Sequence, residues 1–164
     1  MKNKVAYFGL FTALALIFSY VEMLIPFHIG IPGVKLGLAN LIIVIGLYKI
    51  DITQVYLLAV TRVVLAGFMF GNMFSILYIL AGGILSVTVM YLLKKTKKFS
   101  LIGVSIAGGV FHNIGQLIVA MFTVSSLNIA YYAPVLIVAG LLTGLLIGIA
   151  SGEMLKRLKS IKMD

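Results

Sequence analysis

Residues 99–152 read FSLIGVSIAGGVFHNIGQLIVAMFTVSSLNIAYYAPVLIVAGLLTGLLIGIASG, which is 54 consecutive positions without an Asp, Glu, Lys or Arg. A membrane-spanning helix needs about 20 predominantly apolar residues, so this run holds two. Further charge-free runs occupy residues 63–93 and 5–21. These segments lack the alternating polarity of barrel strands, and only helices and closed barrels satisfy the backbone inside lipid. We therefore expect an all-α, polytopic integral membrane protein.

The composition agrees with this class and excludes several others. Hydrophobic residues make up 62% of the chain, charged residues 10%, and the mean hydropathy is +1.20, against roughly 45–50% and 25% in soluble proteins. Four acidic residues and no cysteine exclude most paired-carboxylate chemistry, disulfides and thiolate metal sites. The sequence has no Walker A loop and no aspartate-rich pair of motifs for a metal and a diphosphate. We expect no catalytic residue, no metal and no cofactor in this chain.

Turn signals and charged loops divide the chain into six predicted spans within a single membrane domain, residues 1–164. The spans are 5–26, 36–49, 53–70, 73–93, 100–124 and 131–153. The first span also fits a signal peptide, whose cleavage would leave five spans.

The basic residues predict the orientation of these spans. With both termini cytoplasmic, 11 of the 13 Lys and Arg residues lie inside, as the positive-inside rule requires. These are Lys2, Lys4, Lys49, Lys94, Lys95, Lys97, Lys98, Lys156, Arg157, Lys159 and Lys162. The net charge of +9 is therefore a topological signal and does not indicate nucleic-acid binding, which would need a basic face on a soluble domain. We expect a multi-pass protein of a bacterial plasma membrane.

Polar side chains within the spans concentrate between the midplane and the predicted outer surface. A charged group inside a bilayer is costly, so each one needs a partner or a function. We predict that these side chains meet in an outer-half pocket that binds a small molecule, either anionic or aromatic. The predicted contacts are Glu22, Lys35, Asn40, Arg62, Asn72, His112, Asn113 and Gln116.

Most of these residues also have a structural explanation. Arg62 and Glu22 would form a buried ion pair between helices. Asn40 and Asn72 would cap helices or form interhelical hydrogen bonds, and His112 would hydrogen-bond the glutamine one turn later. The shared depth of the whole group is what favours a binding site.

Small residues and two tyrosines mark further surfaces. Ala6, Gly9 and Ala13 lie on one stripe of the first span, where a helix of this chain or of a partner could pack closely. Tyr131 and Tyr132 fit an interfacial aromatic belt or would stack on a planar ring of the ligand. Glycines on the fifth span would let a helix or a ligand approach its backbone.

Four segments resemble the small membrane family called Gx transporters, also named component I of heptaprenyl diphosphate synthase. They are PGVKLGLAN at 32–40, TRVVLA at 61–66, GVSIAGGVFHNIGQ at 103–116 and GLLTGLLIG at 140–148. That family is itself similar to the S components of energy-coupling-factor transporters, six-helix proteins that bind vitamins or related small molecules on their outer side.

The resemblance implies a substrate-binding subunit for uptake that works with a membrane coupling protein and two cytoplasmic ATPases. The stripe formed by Ala6, Gly9 and Ala13 would contact the coupling protein, and the loop at 26–35 would act as a lid. The family name offers a second hypothesis, a non-catalytic accessory subunit of heptaprenyl diphosphate or quinone synthesis. Relatives linked to electron transfer offer a third, a membrane subunit of a flavin or quinone system.

Overall fold

A computed structural model describes residues 2–24 and 37–158. These residues form six α-helices, one 3-10 helix and no strand, which confirms the predicted all-α class. The helices are α1 (Lys2–Leu24), α2 (Leu38–Lys49), α3 (Ile52–Phe70), α4 (Met73–Thr96), α5 (Leu101–Val124), the 3-10 helix (Leu127–Tyr132) and α6 (Ala133–Arg157). Five of the α-helices are long and apolar enough to cross a membrane, and the chain is accordingly a membrane protein.

At the ends that the structure describes, the observed helices differ from the predicted spans by at most four residues, chiefly in α1, α4 and α6. The helix α1 already begins at Lys2, and α4 continues past 93 to Thr96, where Lys97 in the left-handed region ends it. We predicted that the last span opens at 131, but α6 begins at Ala133, where Pro134 fixes the first turn. The last helix also continues beyond 153 to Arg157. Residues 25, 26 and 36 of the predicted spans lie outside the described residues.

The short helix α2 is surrounded by protein. Residues 41–47 are all buried, and α2 packs against α1, α3 and α6. A helix that is apolar on every side is typical of a protein interior. With 12 residues, α2 is too short to cross a bilayer of about 30 Å by itself. Its amino end therefore lies inside the bundle.

Glycines bring α4, α5 and α6 into backbone contact. A Cβ atom added to Gly140 would lie 2.8 Å from the Gly109 carbonyl oxygen, and one added to Gly144 would lie 2.7 Å from the Ile106 Cα. On the other side of α5, a Cβ at Gly115 would lie 2.8 Å from the Gly82 Cα. The predicted close approach to α5 is therefore made by helices on both sides.

Basic side chains close one end of the bundle, which we call the basic end. Lys49 Nζ donates to the Leu158 carbonyl at 2.7 Å, and the Lys94 ammonium lies 4.9 Å from the centre of the Tyr48 ring. Cations near helix C-termini are favourable because they meet the unsatisfied carbonyls and the negative end of the dipole. The helices are thus tied together at the end that carries the lysines.

Candidate functional site

A cavity of about 610 Å³ opens between the helices and extends to the end opposite the basic end. Residues from all six α-helices line it, and the volume is within the usual range of small-molecule pockets. Every predicted contact that lies in the described part of the chain is on its wall: Glu22, Asn40, Arg62, Asn72, His112, Asn113 and Gln116. Lys35 lies outside the described residues, as does the predicted lid.

Arg62 is the buried charge of the cavity, with 6% of its surface exposed. Its Nη2 donates to Asn40 Oδ1 at 3.2 Å. Its Nε is buried and has no hydrogen-bond partner among the described residues. Buried charged groups are normally paired or fully hydrogen-bonded. The structure therefore holds a guanidinium whose bonding is incomplete.

Glu22 does not make the ion pair that we considered for Arg62. Its carboxylate instead accepts a hydrogen bond from the backbone N–H of Gly37, and no salt bridge joins it to Arg62 among the described residues. The two charges attract each other across the cavity without touching. Arg62 and Glu22 therefore do not form a direct ion pair. The cavity wall carries a cation and a carboxylate that do not touch each other.

The amino end of α2 opens into this cavity. Gly37, its N-cap, has a φ of 73°, the left-handed region that favours glycine. The Gly37 carbonyl accepts from the Asn40 N–H at 2.8 Å, and no side chain within this helix start caps it. The Glu22 carboxylate and the Arg62 guanidinium therefore contact the first turn of α2 at two points, Gly37 and Asn40.

Two of the amides on the cavity wall also have structural roles. Asn72 accepts from the Ser75 N–H at 2.8 Å and caps α4, as the helix-cap alternative predicted. Asn113 Nδ2 donates to the Leu136 carbonyl at 2.7 Å and ties α5 to α6. Because one donor or acceptor of each amide is already used, each of these side chains has fewer groups left to hydrogen-bond a ligand.

The cavity reaches deeper than the polar pattern predicted. Its wall includes Met90 and Ile147, together with hydroxyl residues that the sequence analysis did not select. Two of these, Ser86 and Ser105, donate to the carbonyls of Gly108 and Gly144 at 2.8 Å. The wall hydroxyls outside the set of predicted contacts are Ser19, Ser75, Ser86, Ser105 and Thr143. Of these, Ser105 shares a face of the fifth span with His112 and Gln116, as the three- and four-residue spacing predicts.

Tyr131 and Tyr132 do not line the cavity. They belong to the 3-10 helix, with 84% and 53% of their surfaces exposed. The predicted stacking role is therefore wrong for this arrangement, and the aromatic belt fits their exposure. Phe70 is an aromatic residue that the cavity wall does contain.

The predicted partner stripe on α1 is unoccupied by the described part of this chain. Ala6, Gly9 and Ala13 are exposed, and a Cβ at Gly9 would meet nothing within 4 Å. Phe11 and Ala15 point the other way, into the core. The small stripe is thus left free for lipid or another helix.

A family model described as heptaprenyl diphosphate synthase component I matches residues 11–154. The chain belongs to this family. The matched range contains all of the cavity-lining residues, so the predicted resemblance to this family is confirmed. No curated protein matches the chain, and no solved structure matches it. The likeness to S components stays a prediction.

Proposed function

We propose that this protein is a non-catalytic membrane subunit that binds a small anionic molecule in the cavity, in the manner of an S component of an uptake transporter. The observation that carries the proposal is the incompletely bonded Arg62 guanidinium on the wall of a 610 Å³ cavity. A planar guanidinium presents donors in a fixed fork that matches carboxylates and phosphates. The amides of Asn40, Asn113 and Gln116 would orient the rest of the ligand.

The chemistry of the wall supports binding without catalysis. Glu22 is the one carboxylate on the described cavity wall, and it already accepts from Gly37. Transfer of a prenyl diphosphate needs several carboxylates to hold magnesium. Within the described residues no group of three or more metal-ligating side chains occurs. Any catalysis or ATP hydrolysis would belong to partner subunits.

The orientation is part of the proposal, with both termini in the cytoplasm and the cavity open to the outside of a plasma membrane. Because the chain has no cysteine, single cysteines can report it. We expect a membrane-impermeant maleimide to label Leu127→Cys in intact cells, and Lys97→Cys only after permeabilisation. Both positions are exposed. The reverse labelling pattern would place the cavity on the cytoplasmic side.

A ligand screen on purified protein tests the binding function. We expect at least one anionic compound among nicotinate, flavin mononucleotide, thiamine phosphate and farnesyl diphosphate to raise the thermal midpoint. A ligand at 100 times its Kd stabilises by about 2.7 kcal/mol. The neutral counterparts nicotinamide, riboflavin and farnesol should act weakly. No shift with any compound would contradict the proposal.

The family match favours a second candidate, an accessory subunit of heptaprenyl diphosphate synthesis. In that role the cavity would hold an isoprenoid diphosphate and a separate subunit would perform the chemistry. Affinity purification separates the two candidates. Co-purification with a soluble, aspartate-rich synthase supports the accessory role, and co-purification with ATPases supports uptake.

A further inference from the structure

The first turn of α2 is built to receive an anion. The first amides of any helix have no acceptor within the helix, and the dipole makes this end positive. Here those amides belong to Gly37, Leu38 and Ala39, since the Asn40 N–H already donates to the Gly37 carbonyl, and they start a 12-residue helix whose residues Gly37 and Asn40 line the cavity. Helix amino ends of this kind bind phosphates and carboxylates.

A second, independent feature points to the same place. Arg62 contacts this turn through Asn40 at 3.2 Å, and its Nε is buried with no partner among the described residues. A guanidinium next to a positive helix end is unfavourable unless an anion lies between them. The helix end and Arg62 therefore specify one oxyanion position.

In the structure, a carboxylate of the protein itself contacts this turn. Glu22, from the far end of α1, accepts from the Gly37 N–H. We propose that Glu22 is an internal placeholder: its carboxylate occupies part of the oxyanion position when the cavity is empty, and the carboxylate or phosphate of the ligand displaces it. This inference rests on the proposed function and gives it a substrate class, a molecule with one oxyanion group that binds between Gly37 and Arg62.

The placeholder has a mechanical consequence. While Glu22 is bound to Gly37, it ties α1 to α2 at the cavity end. Displacement releases that tie and frees the carboxyl end of α1. Because α1 also carries the exposed stripe of Ala6, Gly9 and Ala13, occupancy of the cavity is communicated to the helix that offers a surface to a partner.

The affinity of inorganic phosphate for Glu22→Gln tests the placeholder. We expect phosphate to bind this variant about tenfold tighter than wild type, because the neutral glutamine oxygen competes for the Gly37 N–H less strongly than the carboxylate does. Binding is measured as thermal stabilisation against sodium chloride of equal ionic strength. Glu153→Gln is the matched control, since Glu153 is exposed at the basic end and pairs with Lys156 and Arg157. Equal or weaker binding by Glu22→Gln would overturn the inference.

A distance measurement separates displacement from a general change of charge. Leu24 and Met73 are exposed residues at the cavity end that do not line the cavity. We expect spin labels on Leu24→Cys and Met73→Cys to change their separation when phosphate is added. Adding Glu22→Ala, which removes the acceptor for the Gly37 N–H, should produce the changed separation without phosphate. An unchanged separation at saturating phosphate would overturn the inference.

The outcomes distinguish this inference from the proposed function. If phosphate binding is lost in Arg62→Gln but is the same in Glu22→Gln as in wild type, the placeholder is overturned and the binding function stands. No binding of phosphate by any variant would overturn the placeholder, and no thermal shift with any compound of the ligand screen would overturn the binding function as well. Repeating the titrations with nicotinate and with flavin mononucleotide shows whether the oxyanion is a carboxylate or a phosphate.

Discussion

Arg62→Gln is expected to abolish stabilisation by anions while leaving the empty protein as stable as wild type, or more stable. An arginine at the centre of a membrane helix costs about 2.5–3.5 kcal/mol on insertion scales. Only part of this cost is offset in the structure. Arg62 donates one hydrogen bond of 3.2 Å to Asn40, and it is attracted to Glu22 without touching it. Glutamine removes the charge that causes this cost.

We would compare the thermal midpoints of wild type and Arg62→Gln, each with and without the anionic ligand that stabilises wild type most in the screen. We expect affinity to fall by at least about tenfold, as the loss of a charged hydrogen-bonding partner implies. Arg157→Gln, at an exposed position of the basic end, should change nothing. Arg62→Lys should bind the ligand with intermediate affinity, because lysine keeps the positive charge but lacks the planar set of N–H donors of the guanidinium. An Arg62→Gln variant that fails to fold would mean that the residue is structural.

Gly140→Ala is expected to destabilise the protein by about 2 kcal/mol, a typical cost of overpacking a tight contact. Its new methyl group would lie 2.8 Å from both the Gly109 carbonyl oxygen and the Val110 Cα. Those are backbone atoms, which cannot rotate away. At this chain length the loss corresponds to a fall of about 4–8 °C in the thermal midpoint.

Gly83→Ala is the matched control for this substitution. Gly83 is also a helical glycine, but a Cβ there would meet nothing within 4 Å. Since alanine favours helix over glycine by about 1 kcal/mol, this variant should be unchanged or slightly stabilised. If the two variants melt alike, the backbone contact between α5 and α6 does not limit stability.

The positions of the polar residues along their helices could be predicted from the sequence. Because several of them are at a similar depth, we predicted that they line one cavity. Charge-free runs locate the helices, and position along a helix gives depth directly at 1.5 Å per residue. For this reason Arg62, His112 and Asn40 were selected together, and all three line the cavity. A resemblance in four short segments also identified the family, which the match over residues 11–154 confirms.

The partners of these residues could not be predicted, because they depend on how each helix is rotated about its axis. A sequence gives depth but not the direction in which Glu22 points, so the ion pair with Arg62 was considered and the observed bond to Gly37 was not. Hydroxyls such as Ser86 were missed because a serine can bond its own or a neighbouring backbone anywhere in a membrane helix. The burial of α2 could not be predicted because a membrane helix that is apolar on every side can face lipid as well as protein.

The shortness of α2 has an electrical consequence for any charged ligand. Twelve residues span about 18 Å, so in the proposed orientation, with a hydrocarbon layer of about 30 Å, its amino end would lie about 12 Å below the outer surface. A monovalent anion that reaches Gly37 from outside crosses a fraction of the membrane voltage. A full crossing is worth about 2.3 kcal/mol per 100 mV, so an inside-negative potential opposes this entry by nearly 1 kcal/mol. Energised cells would therefore hold such a ligand less tightly than detergent micelles do.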